Sequence, residues 1–189
     1  MTTPPGRHDG ETALLLAGPF EDAGTAACFE HLASDGEPPR RMLNVLFTRR
    51  PGHRVENWRH HVGDLPEQFV VLGSQEPASE APDVDVERLA DPGDLTSTGV
   101  AITGQLAEWP ADGRTGFCLH SATAQLQYSG REQVYQFLHT LRAHLEEHGA
   151  VGHVHLNPDA HDDRTVDTFK TLFDTVLEPG SDGTALTTS

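Results

Sequence analysis

Short apolar runs, bounded by turn residues, recur along this chain. Most of them are rich in Val, Leu and Phe, which is typical of strands covered on both faces in a parallel sheet. The predicted strands cover residues 13–16, 43–47, 69–72, 116–119 and 151–156, and a short additional strand is predicted over 84–86.

Apolar residues at helical spacing lie between these runs. In the clearest case they recur at positions 134, 137, 138, 141 and 145. Ser129 and Glu132 are spaced as in a capping box before this segment, and Gly149 follows it as a stop signal. The same spacing predicts helices over 23–32, 54–61, 95–109 and 163–173. Because strands and helices alternate, the pattern predicts an α/β domain of three layers around a mainly parallel sheet.

The length of 189 residues suits one domain with a full core. We expect this domain to cover residues 12–178. Residues 1–11 and 179–189 are polar, rich in Gly, Thr and Pro, and without apolar periodicity, so they are expected to be disordered tails. Residues 75–83 are expected to form a solvated loop.

The charge balance is strongly acidic. The chain has 29 acidic and 13 basic residues, and Lys170 is its single lysine. A formal charge of −16 would repel itself in dilute solution, whereas at 1 M salt the Debye length of roughly 3 Å screens the repulsion. We therefore expect a halophilic, archaeal protein; an ordinary acidic protein is the alternative.

No apolar stretch is long enough to span a bilayer, and the N-terminal residues lack the apolar core of a signal peptide. A cytoplasmic protein without membrane contact is expected. Cys28 lies in a predicted helix and Cys118 in a predicted strand, so both are interpreted as small, reduced core residues.

The segment after the first predicted strand has the layout of a phosphate-binding loop that has lost its lysine. Against the pattern G-x-x-x-x-G-K-S/T, Gly18 and Thr25 occupy the outer positions. Ala23 replaces the second glycine and Gly24 replaces the lysine. Two acidic residues in the loop would repel phosphates. The loop thus predicts a nucleotide-binding fold that does not hydrolyse nucleotide.

The order of elements resembles the RecA/KaiC-like ATPase core over residues 12–178. Residues 114–128, R-T-G-F-C-L-H-S-A-T-A-Q-L-Q-Y, are similar to the Walker B strand of KaiC and the segment after it. The helix that follows, the strand over 151–156 and residues 161–163 and 168–178 are similar to the corresponding KaiC segments. This resemblance implies a RecA/KaiC-like fold, in a haloarchaeal branch of that superfamily, and a tendency to form homo-oligomers.

Two further positions depart from the family pattern where its chemistry occurs. His120 stands where the resemblance places the aspartate of the magnesium shell, and a neutral imidazole is a poor partner for that hard cation. Thr48, Arg49 and Arg50 stand where the family carries an acidic pair that activates water. Together with the missing lysine, these changes predict a pseudo-ATPase with no catalytic residues and no cofactor.

Half of the twelve arginines lie between residues 40 and 61. Arg49 and Arg50 would leave a strand at its carboxyl end, where ligands of open α/β sheets bind. With Arg54 and Arg59 they are predicted to bind an acidic or phosphorylated protein surface through their forked donors. The alternative is that these arginines balance nearby acids in surface salt bridges. Nucleic acid is not an expected partner, because the chain is acidic and high salt weakens such binding.

The twelve histidines raise the question of a metal site. His153 and His155 lie two residues apart on a predicted strand and would share one face. With His120, His161 and Asp162 they would form a site at the sheet edge. Because no HExxH or paired CxxC spacing occurs, no metal is expected, and the histidines are interpreted as packed or solvent-facing.

Our leading hypothesis from the sequence is a catalytically inactive RecA/KaiC-like domain that acts as a cytoplasmic regulatory or signalling protein-interaction module. One alternative is a non-hydrolysing nucleotide sensor that uses the backbone of residues 18–25 and the arginines. The other is a metal-dependent hydrolase built on His120, His153 and His155.

Overall fold

The computed structural model describes residues 10–18, 22–33, 37–73, 84–89, 91–179 and 185–188, the last four, like 22 and 23, by their backbone alone. The strands within these residues are β1 (Thr12–Leu16), β2 (Arg41–Leu46), β3 (Gln68–Gly73), β4 (Asp85–Arg88), β5 (Thr115–His120), β6 (Val151–Leu156), β7 (Thr175–Pro179) and β8 (Ala185–Thr188). Within the same residues the helices are α1 (Asp22–Leu32), α2 (Pro51–His61), α3 (Leu95–Glu108), α4 (Ala122–Leu126), α5 (Arg131–His148) and α6 (Asp163–Lys170), and Pro158–Ala160 form a 3-10 turn.

The strands form one sheet in the order β4-β3-β2-β5-β6-β1-β7-β8. Strands β1 to β7 are parallel to their neighbours, and β8 pairs antiparallel with β7 at the edge. The prediction of an α/β fold with three layers and a mainly parallel sheet is confirmed.

The helices divide between the two faces according to the direction in which the chain moves across the sheet. From β1 to β4 it moves towards one edge, and from β4 to β7 it moves back. Because crossovers between parallel strands are right-handed, the two directions put helices on opposite faces. One core accordingly packs α1 and α2 against the sheet, and a larger one packs α3, α4, α5 and α6 against the other face.

Helix α5 confirms the predicted stop and corrects the predicted start. Gly149 follows the helix with φ 70°, a left-handed conformation that favours glycine. At the other end the helix begins at Arg131, and the Gly130 N–H is bonded to Oε1 of Gln133 at 3.1 Å. The predicted pairing of Ser129 with a glutamate is therefore wrong, because Ser129 instead donates its hydroxyl to the carbonyl of residue 93.

Other boundaries differ in ways that local chemistry explains. Helix α2 begins three residues before its predicted start, because Pro51 is pre-organised for a first helical position. Helix α6 ends at Lys170, and β7 follows it. Within the segment expected as a C-terminal tail, β8 forms the sheet edge. Residues 1–9, 180–184 and 189 of the expected tails and the expected loop 75–83 lie outside the described residues. None of the described helices is long and apolar enough to cross a membrane.

Candidate metal centre

Two neighbouring central strands carry sulfur and imidazole side chains on the same face of the sheet. Cys118 of β5 is the register partner of His153 in β6, and His155 follows two residues later. Because side chains alternate along a strand, these three share one face. Leu119, which follows Cys118, and Val154, which lies between the two histidines, belong to the core on the other face. The shared face is the one that α1 and α2 cover.

Helix α1 brings a second cysteine to this face. In the sheet, β6 and β5 lie between β1 and β2, so the chain that leaves β1 through α1 has to cross both before it enters β2. Helix α1 packs on β1, β7 and β6, and Sγ of Cys28 lies 3.0 Å from Nε2 of His153. The strand order thus explains why a residue of the first helix meets residues of two strands far along the chain.

Cys28, Cys118, His153 and His155 form a compact group that we name the Cys/His centre. One ligand atom from each lies within 4.8 Å of the others, and their exposed fractions are 0%, 0%, 1% and 6%. In a tetrahedral zinc site, bonds of about 2.0–2.3 Å place ligand atoms about 3.3–3.8 Å apart. The separations within the centre are of the order that a single ion requires. Among the described residues, this is the one metal-ligating group of its kind.

The two thiols of the Cys/His centre differ in acidity. Burial raises the pKa of Cys28, but a hydrogen bond with Cys118, the positive charge of Arg54 and the contact with His153 outweigh burial, so this pKa lies well below its usual value. Burial and the neighbouring Cys28 raise the pKa of Cys118 well above its usual value. Of the two cysteines, Cys28 is therefore the one that more readily loses its proton.

Burial also favours neutral imidazoles here. It lowers the pKa of His155 to about 4, against the opposing effect of Cys28. Burial and the adjacent His155 hold the pKa of His120 well below its usual value. The rings of His120 and His155 stack with centroids 4.1 Å apart. Because neutral imidazole is the metal-binding form, His155 is available as a ligand at pH 7.

A layer of polar side chains surrounds the Cys/His centre. The Arg54 guanidinium donates from Nη1 to Sγ of Cys28 at 3.4 Å and from Nε to Oδ1 of Asn44 at 2.9 Å. Nδ1 of His31 lies 3.4 Å from Nδ1 of His153. Contacts of this kind fix the orientation of metal ligands and tune their basicity. The centre is therefore supported from α1, α2 and β2.

The histidine site expected from the sequence is brought together only in part. His153 and His155 share a face, as expected from their spacing, and His120 stacks on His155 outside the group of four. His161 lies beside α4, and Asp162 accepts a hydrogen bond from the first turn of α6. These last two residues contact α4 and α6 and do not belong to the group of four.

The two cysteines were interpreted from the sequence as small core residues, and both belong to the core under α1 and α2. Both are buried and reduced, as expected. Their surroundings, however, include an arginine and two histidines. The paired motifs that signal metal sites in sequences were absent because each cysteine comes from a different element. The alternation of Cys118 with His120, and of His153 with His155, was the available signal.

The residues of the lysine-less loop have a packing role in the structure. Gly18 follows β1, and Ala23, Gly24 and Thr25 lie in the first turn of α1. A Cβ at Gly24 would come within 2.6 Å of the Cβ of Ala17. Any side chain there, lysine included, would push α1 away from the end of β1. Residues 19–21 lie outside the described part of the chain.

The four arginines expected to bind a partner are separated by the fold. Arg54 is buried beside the Cys/His centre, with 4% exposed, so it does not belong to an outer surface. Arg49 is half-buried after β2, with Nη1 3.3 Å from Nε2 of His53. Arg50 and Arg59 are exposed near the two ends of α2.

A family model and a solved structure match this chain. The model described as a family of unknown function (DUF7504) covers residues 12–179. No curated protein matches the chain. A Pyrococcus horikoshii OT3 protein, studied as Project ID PH0250, is similar with a TM-score of 0.59 and 9% sequence identity, over 96% of this chain and 86% of that one. At this identity the likeness shows the fold alone.

Proposed function

The chain belongs to the family of unknown function DUF7504, and we propose that it is a regulatory protein that binds a transition-metal ion in the Cys/His centre. The observation that carries this proposal is the convergence of four buried ligand atoms, from α1, β5 and β6, within 4.8 Å. Thiolate and imidazole together are the donors that zinc, copper and related metals prefer.

The centre favours holding a metal over using it to cleave a substrate. Catalytic zinc sites have three protein ligands and keep one position open for water, whereas closed sites have four. Here four ligands are present and the most exposed of them, His155, is 6% exposed. The centre therefore supports a structural or sensing role better than the metal-dependent hydrolase built on His120, His153 and His155.

A bound metal would join two layers of the fold. Cys28 is the ligand from the helical layer, and the other three ligands belong to the sheet. Because a metal that needs both layers binds only the docked arrangement, its binding free energy adds to the stability of that arrangement. Metal occupancy of the centre would thereby control how stably α1 packs on the sheet. The protein would have two states, with and without metal, that a partner could distinguish.

The purified full chain tests this proposal directly. After reconstitution with zinc(II) or copper(I) and removal of excess, elemental analysis is expected to find one ion per chain. Cys28→Ser and Cys118→Ser are expected to lose it. His139→Gln is the matched control, because His139 is an exposed histidine on α5. A metal-free wild type, or full occupancy in both cysteine variants, would overturn the proposal.

Our second proposal keeps the sequence-based hypothesis of a protein-interaction module without ATPase activity. It is supported by the exposure of Arg50 and Arg59 on α2 and by the packing role of Gly24. Calorimetry and phosphate release with magnesium ATP test it. Neither binding nor hydrolysis is expected. Binding that Arg49→Ala and Arg50→Ala abolish would instead favour a nucleotide sensor, and hydrolysis would contradict both.

A further inference from the structure

The charges around the Cys/His centre are as informative as its ligands. Arg54 is 4% exposed and donates to Sγ of Cys28. Its remaining contacts are with uncharged groups: Oδ1 of Asn44 and, at 4.7 Å, the ring of Phe29. Its Nη2 is buried without a hydrogen-bond partner among the described residues. Among the described residues, the acidic group that this buried guanidinium contacts is therefore the thiol of Cys28.

No carboxylate compensates this positive charge within the described part of the chain. Apart from the members of the centre and the histidines stacked on it, the charged groups that influence the cysteines, His120 and His155 are Arg54 and the half-buried Arg49. An uncompensated charge in a protein interior is costly. The net charge of the loaded centre therefore bears on which ion it accepts.

The charge of the loaded centre can be counted from its groups. A metal binds the two cysteines as thiolates, and the histidines bind it as neutral imidazoles. Two thiolates and one guanidinium leave a net charge of −1 before the ion is added. A monovalent ion brings the buried group to zero, whereas a divalent ion leaves it at +1. Arg49, at the edge of the Cys/His centre, adds further positive potential and therefore also favours the monovalent ion.

We propose that the Cys/His centre binds copper(I) in preference to zinc(II), and that the buried charge of Arg54 sets this preference. The inference rests on the proposed function, because it presupposes that the centre holds a metal. Thiolates are soft ligands that suit both copper(I) and zinc(II), so the charge of the site has to decide between the two ions. The two sulfur atoms lie within 4.8 Å, and one ion with metal–sulfur bonds of about 2.3 Å spans up to about 4.6 Å between two sulfurs. Arg54 acts through Cys28 and is not itself a ligand.

A pair of competition titrations tests the preference. Under anaerobic conditions, the full chain is titrated with copper(I) against a chromophoric copper(I) chelator and with zinc(II) against a chromophoric zinc chelator. The measured quantity is the ratio of the two affinities. Arg54→Met removes the charge and keeps an apolar stem of similar length, and it is expected to lower the copper-to-zinc ratio by about tenfold or more. Arg54→Lys keeps the charge and is expected to retain most of the wild-type ratio.

A second variant guards against loss of folding in Arg54→Met. Arg49→Gln alters a half-buried residue and is expected to lower the same ratio by a smaller factor, with an unchanged circular-dichroism spectrum. If the protein binds neither ion, the proposed function fails and this inference fails with it. If it binds zinc(II) and the ratio is the same in wild type, Arg49→Gln and Arg54→Met, this inference alone is overturned. Ratios that fall in the expected order support it.

Discussion

The two faces of the central sheet are built from the same strands and differ sharply in chemistry. On β5 and β6, Leu119 and Val154 face the apolar core under α5. Their neighbours Cys118, His153 and His155 face α1 and α2, together with other buried polar groups. One face is stabilised by apolar burial, and the other also contains groups that are costly to bury unless they satisfy one another.

This difference between the two faces indicates which of them can contain a functional site. The apolar face is covered by four helices and holds the larger core. With that stability available, the face under α1 and α2 tolerates a cluster of sulfur, imidazole and guanidinium groups. Because functional sites violate the rules of core packing and depend on stability from elsewhere, the polar face is the expected place for function.

The largest effect should come from truncating neighbouring residues on opposite faces. Leu119→Ala is expected to cost about 2–5 kcal/mol of unfolding free energy, because it leaves a cavity in a closely packed core. Cys118→Ala, in chelator, is expected to cost about 1 kcal/mol, because it removes one small atom. Urea unfolding followed by the fluorescence of the buried Trp58 measures both. Equal costs would erase the distinction between the faces.

Metal should stabilise the polar face alone. With free metal at 100 times its dissociation constant, the expected gain in unfolding free energy is about 2.7 kcal/mol. The gain should persist in Leu119→Ala and vanish in Cys118→Ala. Thermal unfolding with and without chelator measures it. A gain of the same size in Cys118→Ala would place the ion somewhere other than the Cys/His centre.

Acid should weaken the metal-free protein through the polar face. His155 has a pKa of about 4 in the folded chain, against 6.5 for the free side chain. Protonation below pH 6.5 therefore favours the unfolded chain, so the contribution is complete above that pH and is lost as the pH falls towards 4. For His155 alone, a loss of about 2 kcal/mol is expected between pH 7.5 and pH 5. Urea unfolding at both pH values, compared with His155→Gln, isolates it, and equal losses in the two proteins would contradict the assignment.

The smallest change in unfolding free energy is expected from a surface ion pair, which belongs to neither face of the sheet. Arg114 and Glu37 form a surface ion pair at 2.8 Å, and both side chains are well exposed. Glu37→Gln is expected to cost about 0.2–1 kcal/mol at low salt, and less at 1 M salt because the charges are screened. Unfolding at the two salt concentrations checks this. A salt-independent cost would mean that the residue contributes through something other than charge.

The sheet and its covering helices follow from local patterns that the sequence displays. Runs of apolar residues predict the strands because both faces of a parallel sheet are buried, so these runs need no alternation. The end of α5 at Gly149 is predicted because a left-handed residue there favours glycine. Boundaries such as the start of α2 and the end of α6 were less accurate; α2 begins early because Pro51 is pre-organised for a first helical position.

The Cys/His centre depends on relationships that no local pattern contains. Cys28 meets Cys118 and His153 only because β5 and β6 lie between β1 and β2. The sequence places each of these residues in an element without showing which elements become neighbours. Arg54, for the same reason, was expected on a surface and is buried instead. The RecA/KaiC resemblance, salt adaptation and the protein partner stay predictions.

The position of β1 between β6 and β7 has a consequence for biosynthesis. Strand β1 cannot pair with both neighbours until the residues up to 179 have left the ribosome, and Cys28 and His153 are separated by 125 positions. Contacts so distant along the chain form late and slowly. Nascent or truncated copies would therefore lack an assembled metal site, and the ion would mark the molecules whose final strands are in place.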